Sequence, residues 1–281
     1  MSEICQLFGY TPQAYYKSNK NAHKTQLGNA VVLAEVGLIR QKVPRLGTAK
    51  LHFLLKDTLK EHGIKMGRDK TYKLLADYNM LVGNRRTRKP ITTNSNHPFY
   101  RYRNLIKEMK VTKINQLWVS DITYLRANNT FLYLSLITDA FSRKIVGHYL
   151  STNLKTEGPM AALQMALRGY LPHDHRWLIH HSDRGIQYCC GEYTKTLIDN
   201  DIQISMTQNG DPYENPLAER MNGILKNDFN LYKTFKTIEE LRVHVNHAIE
   251  NYNNFRPHLS LKMQTPQAVH CSQSDSKNRR G

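Results

Sequence analysis

The chain has 281 residues, 40% of them hydrophobic and 22% charged, enough for one sizeable core and a smaller domain. No apolar run reaches the roughly 20 residues of a membrane span, the start Met1-Ser2-Glu3-Ile4-Cys5 lacks a signal-peptide layout, and four cysteines without framework density or paired spacing fit a reducing, cytoplasmic setting. The net charge of +17 is lopsided: residues 1–113 hold 22 Lys+Arg against 7 Asp+Glu and the remainder is near neutral, the footprint of a nucleic-acid-binding module joined to something else.

In chain order, residues 1–44 read as a helical segment. Leu51, Leu54, Leu55 and Leu59 then recur at helical spacing, and Gly63 can end that helix. A second short helix over 68–79 has Tyr72, Leu75 and Tyr78 as its apolar residues, so 45–84 is compatible with a helix-turn-helix that binds DNA. Arg85, Arg86, Arg88 and Lys89 run into a Ser/Thr/Asn-rich stretch, and 85–113 reads as a basic linker whose charge suits a phosphate backbone. Three β-rich segments follow at 117–125, 131–138 and 144–150, separated by turn signals at 127–129 and 139–142. A helix near 156–167, a strand at 177–181, a helix at 192–200 and a strand at 202–205 come next, then a helix bearing Glu219. A last long helix starts at Thr237 with Glu240 completing a capping box, and stops before Pro257. The tail 255–281 has no strong pattern, and 272–281 is expected to be disordered. Three antiparallel strands followed by alternating helix and strand imply an α/β mixed sheet, preceded by a small basic all-helical region.

Three acids stand out from this background. Asp121 lies inside an apolar run, where Asp is depleted. Asp183 ends another such run before an Arg184-Gly185 turn, the edge where open α/β sheets place their sites. Glu219 falls in the first turn of a helix opened by Asn215-Pro216, and at about 100° per residue it shares a face with Asn222 and Lys226, opposite Leu217, Met221, Ile224 and Leu225. A buried carboxylate costs several kcal/mol unless compensated, so three of them suggest a divalent-metal site acting on a phosphodiester. Mg²⁺ prefers a few carboxylates plus water and phosphate, and two ions can serve both nucleophile and leaving group. Lys226 could anchor the scissile strand. Asp139, at a hairpin turn, reads as structural, His180 and His181 as neutral hydrogen-bonded neighbours, and Cys189-Cys190 as packing.

The segments around these acids carry a resemblance. Trp118–Tyr124, His181–Gly185, Gly210–Lys226 and Tyr252–His258 resemble the insertion-sequence transposases of the IS-three type, specifically their second-frame product, and 35 residues separate Asp183 from Glu219, the spacing of that family's DDE triad. The resemblance implies an RNase H-like, integrase-type catalytic core over 114–254. It implies Mg²⁺-dependent strand cleavage and transfer at element ends, with Mn²⁺ as a substitute and two ions. Asp121, Asp183 and Glu219 would hold metal; Lys226, with Arg220 and Arg184, would hold DNA. Implied partners are the terminal inverted repeats and target DNA, further copies of the chain on DNA, and the first-frame product as a frameshift fusion; no membrane is involved. No His/Cys zinc module precedes the core and no barrel-sized segment follows it, unlike a retroviral integrase. Two alternatives remain at this point: a nuclease of the same fold that never joins strands, and a non-catalytic DNA-binding relic.

Overall fold

A computed structural model describes residues 2–83, 99–170, 178–208 and 215–278. The chain divides into two compact units, residues 1–84 and 85–281.

The first unit is helical: α1 (Ser2–Leu7), α2 (Pro12–Lys42), α3 (Thr48–Leu54), α4 (Lys56–Glu61) and α5 (Arg68–Asp77). Thr11 caps α2 by accepting the Ala14 N–H, with Pro12 in the first turn, where its missing donor costs nothing. Only the second half of α2 is buried, through Val32, Val36 and Ile39 at helical spacing; these form a core with Leu51, Leu55, Leu59, Leu74 and Leu75. Gly63 ends α4 at φ +59°, with Ile64 N–H bonding back to the Leu59 carbonyl, the left-handed cap that glycine adopts without strain. One expectation is corrected here. Tyr72 and Tyr78 are more than half exposed, and α5 packs through Thr71, Leu74 and Leu75 instead. A tyrosine tolerates either side of a short helix because its ring is apolar and its hydroxyl is not.

The second unit is a mixed sheet of β1 (Leu117–Ala127), β2 (Thr130–Asp139), β3 (Ile145–Ser151), β4 (Ile179–Ser182), β5 (Gln203–Met206) and the short β6 (Thr234–Phe235). The strand order is β3-β2-β1-β4-β5, with β6 on the end of β1; β1–β2 and β2–β3 are antiparallel, the other pairs parallel. Asn128 and Asn129 both take positive φ in the two-residue β1–β2 loop, as a primed hairpin turn requires. α6 (Glu157–Arg168), α7 (Ile186–Cys189) and α8 (Gly191–Asp199) supply the links between parallel strands. They cover one face, burying Trp118, Ile137, Leu163, Tyr188, Cys189 and Tyr193. Close approach of α6 depends on Gly147, where a Cβ would stand 2.1 Å from the Ala162 carbonyl oxygen.

The other face packs Leu117 and Val119 against Ala218 of α9 (Pro216–Asp228) and against Ile106, Met109 and Val111. The stretch before Lys113 is therefore more than a charged linker: Met206 N–H bonds the Arg103 carbonyl and Leu105 N–H bonds Ser205 Oγ. Arg85, Arg86, Arg88 and Lys89 lie outside the described residues, as do Trp177 and the Gly210–Glu214 part of the resemblance. α10 (Ile238–Asn254) begins as expected, with Thr237 Oγ accepting the Glu240 N–H while the Glu240 carboxylate accepts that of Lys236. The tail differs from expectation. A 3-10 turn at Leu259–Leu261 leads into α11 (Pro266–Asn278), a helix that was not expected in 255–281. That polar stretch has no apolar stripe in its sequence to announce a helix.

Candidate active site

Register places the two aspartates. In the parallel pair β1–β4, Val119 stands opposite His181 and the pairing then stops; two residues on along each strand are Asp121 and Asp183. The two strands thus part where the carboxylates stand, Asp183 just past the carboxyl end of β4 and Asp121 within β1, which runs on to Ala127. Alternation decides which face Asp121 takes. Trp118 and Ser120 point toward α6–α8, so Asp121 shares the α9 side with Leu117 and Val119. A cavity of about 20 Å³, room for one water or small cation, is lined by Asp121, Ile122, Tyr124, Leu154, Asp183, Gly185 and Gln187.

Asp121 is held by a backbone and a side-chain donor, Asp183 by a backbone donor. Ile122 N–H bonds Asp121 Oδ1 at 2.9 Å, and Asn222 Nδ2 donates to Asp121 Oδ2 at 2.6 Å. Gly185 N–H bonds Asp183 Oδ1 at 3.0 Å, which shapes the turn after β4. Burial pushes the Asp121 carboxyl up to about 7; Asp183 and Glu219 add repulsion, while the Ile122 N–H and Lys226 oppose it. Lys226 is in turn lowered by burial and partly restored by Asp121. Glu219 and Lys226 therefore act on Asp121 from α9, with Asn222 between them. Asp183 repels Asp121 more strongly than Glu219 does. Among the described residues, no three His, Cys, Asp or Glu side chains are close enough to cage a metal. The residues present nonetheless fit a hard divalent cation. Their donors are oxygens, a positive charge would relieve the mutual repulsion of the acids, and Asn222 Oδ1 is a buried acceptor without a donor.

The remaining candidates separate. Arg220 is exposed and acts electrostatically on Arg143. Arg184 is half-buried and influences Cys189. Asp139 is the hub of the β2–β3 turn, accepting from Asn115 N–H, Ser142 N–H and Ser142 Oγ, as a structural reading requires. His180 pairs with the Tyr193 hydroxyl, and burial depresses its pKa to about 3, so it is neutral; His181 bonds Ser205. Three side chains make contacts near the site that the sequence did not announce. Asn222 was placed on one face with Glu219 and Lys226, and it is buried there on Asp121. Asn215 does not cap α9 with its side chain; it donates to the Ser120 carbonyl beside Asp121. Gln187 lines the cavity and bonds the Leu154 carbonyl. The three-residue step from Glu219 to Asn222 was the available signal for the first; the Asn215-Pro216 pair marked a helix start but not the bond to Ser120, and nothing local distinguishes Gln187.

A separate cavity of about 810 Å³ lies in the first unit, where Lys24, Lys65, Lys70 and Lys73 surround Leu27, Ile64 and Met66; it has no carboxylate cluster.

Comparison with known proteins gives the family. Integrase core domain profiles match residues 111–212 and 200–266. The uncharacterized 31 kDa protein of insertion element IS600 from Shigella sonnei is 32% identical over 270 residues, covering 94% of this chain and 96% of that protein. The transposase of insertion sequence element IS629, also from Shigella sonnei, is 28% identical over 257 residues, 90% of this chain and 85% of its own length. Among solved structures, the simian T-cell lymphotropic virus intasome aligns with a TM-score of 0.49 at 19% identity, over 80% of this chain and 74% of that one. The HTLV-2 integrase catalytic core, solved with magnesium, aligns with a TM-score of 0.46 at 19% identity, over 57% of this chain and 99% of that one. The chain belongs to the insertion-sequence transposases, polynucleotidyl transferases built on an integrase core domain.

Proposed function

We propose that Asp121, Asp183 and Glu219 form the metal-binding triad of a DDE transposase that cleaves DNA at the ends of its element and joins the freed 3′ end to a target strand. The observation that carries this reading is the register: Asp121 and Asp183 follow the last β1–β4 pair, and the helix bearing Glu219 reaches Asp121 through Asn222. Two bound Mg²⁺ ions, with Mn²⁺ as a substitute, would supply Lewis-acid polarisation of the phosphoryl oxygen and stabilise the attacking and leaving oxygens. The protein's own contribution is placement. Asn222 and the Ile122 N–H orient the Asp121 carboxylate, the Gly185 N–H orients that of Asp183, and α9 carries Glu219. Lys226, beside Asp121, would hold a phosphate of the scissile strand as a point charge, with Arg184 and Arg220 as further contacts along the DNA.

The substrate class is duplex DNA, bound by the basic front as well as the core. The assembly would be several copies of the chain on DNA, and the first-frame product of the same element, as a frameshift fusion, would supply recognition of the terminal repeats. The deciding experiment uses labelled element ends, a target plasmid and Mg²⁺. Joined product supports strand transfer; cleavage without joined product would instead identify a nuclease of the same fold.

A further inference from the structure

Three residues near the end of α10 make contacts that a helix terminus does not need. Arg256 is buried and donates to Asp228 Oδ2 from Nε at 2.8 Å and from Nη2 at 2.7 Å, while its Nη1 meets His258 Nε2 at 3.0 Å. The Tyr252 hydroxyl donates to the Arg143 carbonyl at 2.8 Å and lies 3.3 Å from Met221 Sδ. Asn253 makes a two-way bond with the backbone of Ile145: Nδ2 donates to its carbonyl and Oδ1 accepts its N–H, both at 3.0 Å. Two of the tethered elements matter for the site. Arg143 and Ile145 belong to the β2–β3 turn and β3, which are in the same sheet as β1 with Asp121. Met221 and Asp228 belong to α9, which carries Glu219.

The placement of these ties along α9 is asymmetric. At its N-cap and at its middle, α9 is held to β1 by two neutral donors, Asn215 on Ser120 and Asn222 on Asp121. Its last residue, Asp228, takes the charged tie from Arg256. Asp228 is nine residues beyond Glu219, about 13 Å along a helix at 1.5 Å per residue. These hydrogen-bonded ties cover the first half of the helix, so without the charged tie its last turn rests on apolar packing such as that of buried Leu225, and the helix can tilt. The Arg256–Asp228 pair is largely shielded from water, so removing one partner leaves a charge without compensation and frees the end of the helix.

We infer that Tyr252, Asn253 and Arg256 are positioning residues that lock α9 to the β1–β3 sheet and so set the height of Glu219 against Asp121 and Asp183. The inference rests on the proposed triad and adds to it the device that aligns its third member.

The test uses the full chain with Asp228→Asn, Arg256→Lys and the mild Tyr252→Phe, each compared with wild type well below its melting temperature. Mn²⁺ affinity without DNA, deuterium uptake of the α9 amides, and kcat and KM for joining are measured. Residues that orient metal ligands typically change affinity by about tenfold or more, so weaker Mn²⁺ binding by that order is expected, with faster exchange in α9. kcat should fall while KM for DNA ends stays within about twofold, and Asp228→Asn with Arg256→Lys combined should be little worse than either alone. Folded variants with wild-type Mn²⁺ affinity and wild-type exchange in α9 would overturn the clamp, and Tyr252→Phe keeps this outcome accessible if the charge variants do not fold. A wild-type chain that binds Mn²⁺ but joins no strands, with variants still altered in binding and exchange, would instead remove the proposed function and leave the clamp standing.

Discussion

Asp121 is the residue on which the site's electrostatics converge, and its pKa yields a signed prediction. Raised from 3.8 to about 7 in the folded chain, its carboxyl holds a proton that the unfolded chain has already released. Stability of the metal-free protein therefore falls as pH rises from about 4 to about 7 and stays lowered above that, the loss reaching at most about 1.4 kcal/mol for each pH unit crossed. Asp121→Asn should melt higher than wild type at pH 8 in chelator, with the difference closing toward pH 4, while joining activity is lost. His180 works in the opposite sense: a histidine kept neutral down to about 3 costs stability as pH falls below about 6.5. Asp183→Asn and Glu219→Gln should likewise abolish cleavage and joining, because neutral amides are poor Mg²⁺ ligands, and leave DNA binding nearly intact. Near-normal joining by either variant would remove that residue from the triad. Lys226→Ala tests a different role. It should weaken end binding and joining but leave Mn²⁺ affinity close to wild type; collapse of metal binding would show that Lys226 supports the carboxylates instead of DNA.

At the scale of elements, the sheet was legible because its strands obey simple rules. Alternation and turn chemistry located β1, β2 and β3, and the Asn128-Asn129 turn has the conformation those residues favour. Asp121 and Asp183 were legible for the complementary reason, since each breaks an apolar pattern. What escaped was set by tertiary packing. Asn222 was grouped with Glu219 and Lys226 as the structure has it, but its bond to Asp121 was not legible, because helix periodicity gives which residues share a side and not what that side meets. Tyr72 and Tyr78 failed for the same reason, and α11 lacks the apolar stripe that would have announced it. Gly147 was equally silent in sequence, yet it decides how closely α6 approaches β3. Gly147→Ala should force a backbone shift costing about 1–3 kcal/mol, as overpacking generally does. The control is Gly191→Ala at the start of α8, where a Cβ meets nothing within 4 Å and φ is not positive; it should be neutral or slightly stabilising. Thermal melts of the two variants check the order, and equal melting would mean that α6 can move without cost.

For the whole molecule, charge and fold divide differently along the chain. Residues 1–98 carry 17 Lys+Arg against 6 Asp+Glu, while residues 99–281 carry 23 against 17 and contain the metal-site candidates. The boundary for any truncation follows from packing: Tyr102, Ile106, Met109 and Val111, half-buried, pack against the core of the second unit, so a chain cut at Lys113 would uncover part of that core, whereas one beginning at Phe99 retains those contacts. Each phosphate neutralised by a Lys or Arg contributes about −0.9 to the slope of log affinity against log salt. The full chain should therefore bind duplex DNA with a steep slope and the Phe99–Gly281 chain with a shallower one, while both keep the same Mn²⁺ affinity. Titrations across a salt series on element-end and random DNA separate two contributions: a uniform loss on both sequences belongs to phosphate contacts, and a loss confined to element ends belongs to recognition. Equal slopes for the two chains would show that the core surface, with Lys226 and its neighbours, supplies the electrostatic affinity by itself, and the two-part reading of the molecule would have to be given up.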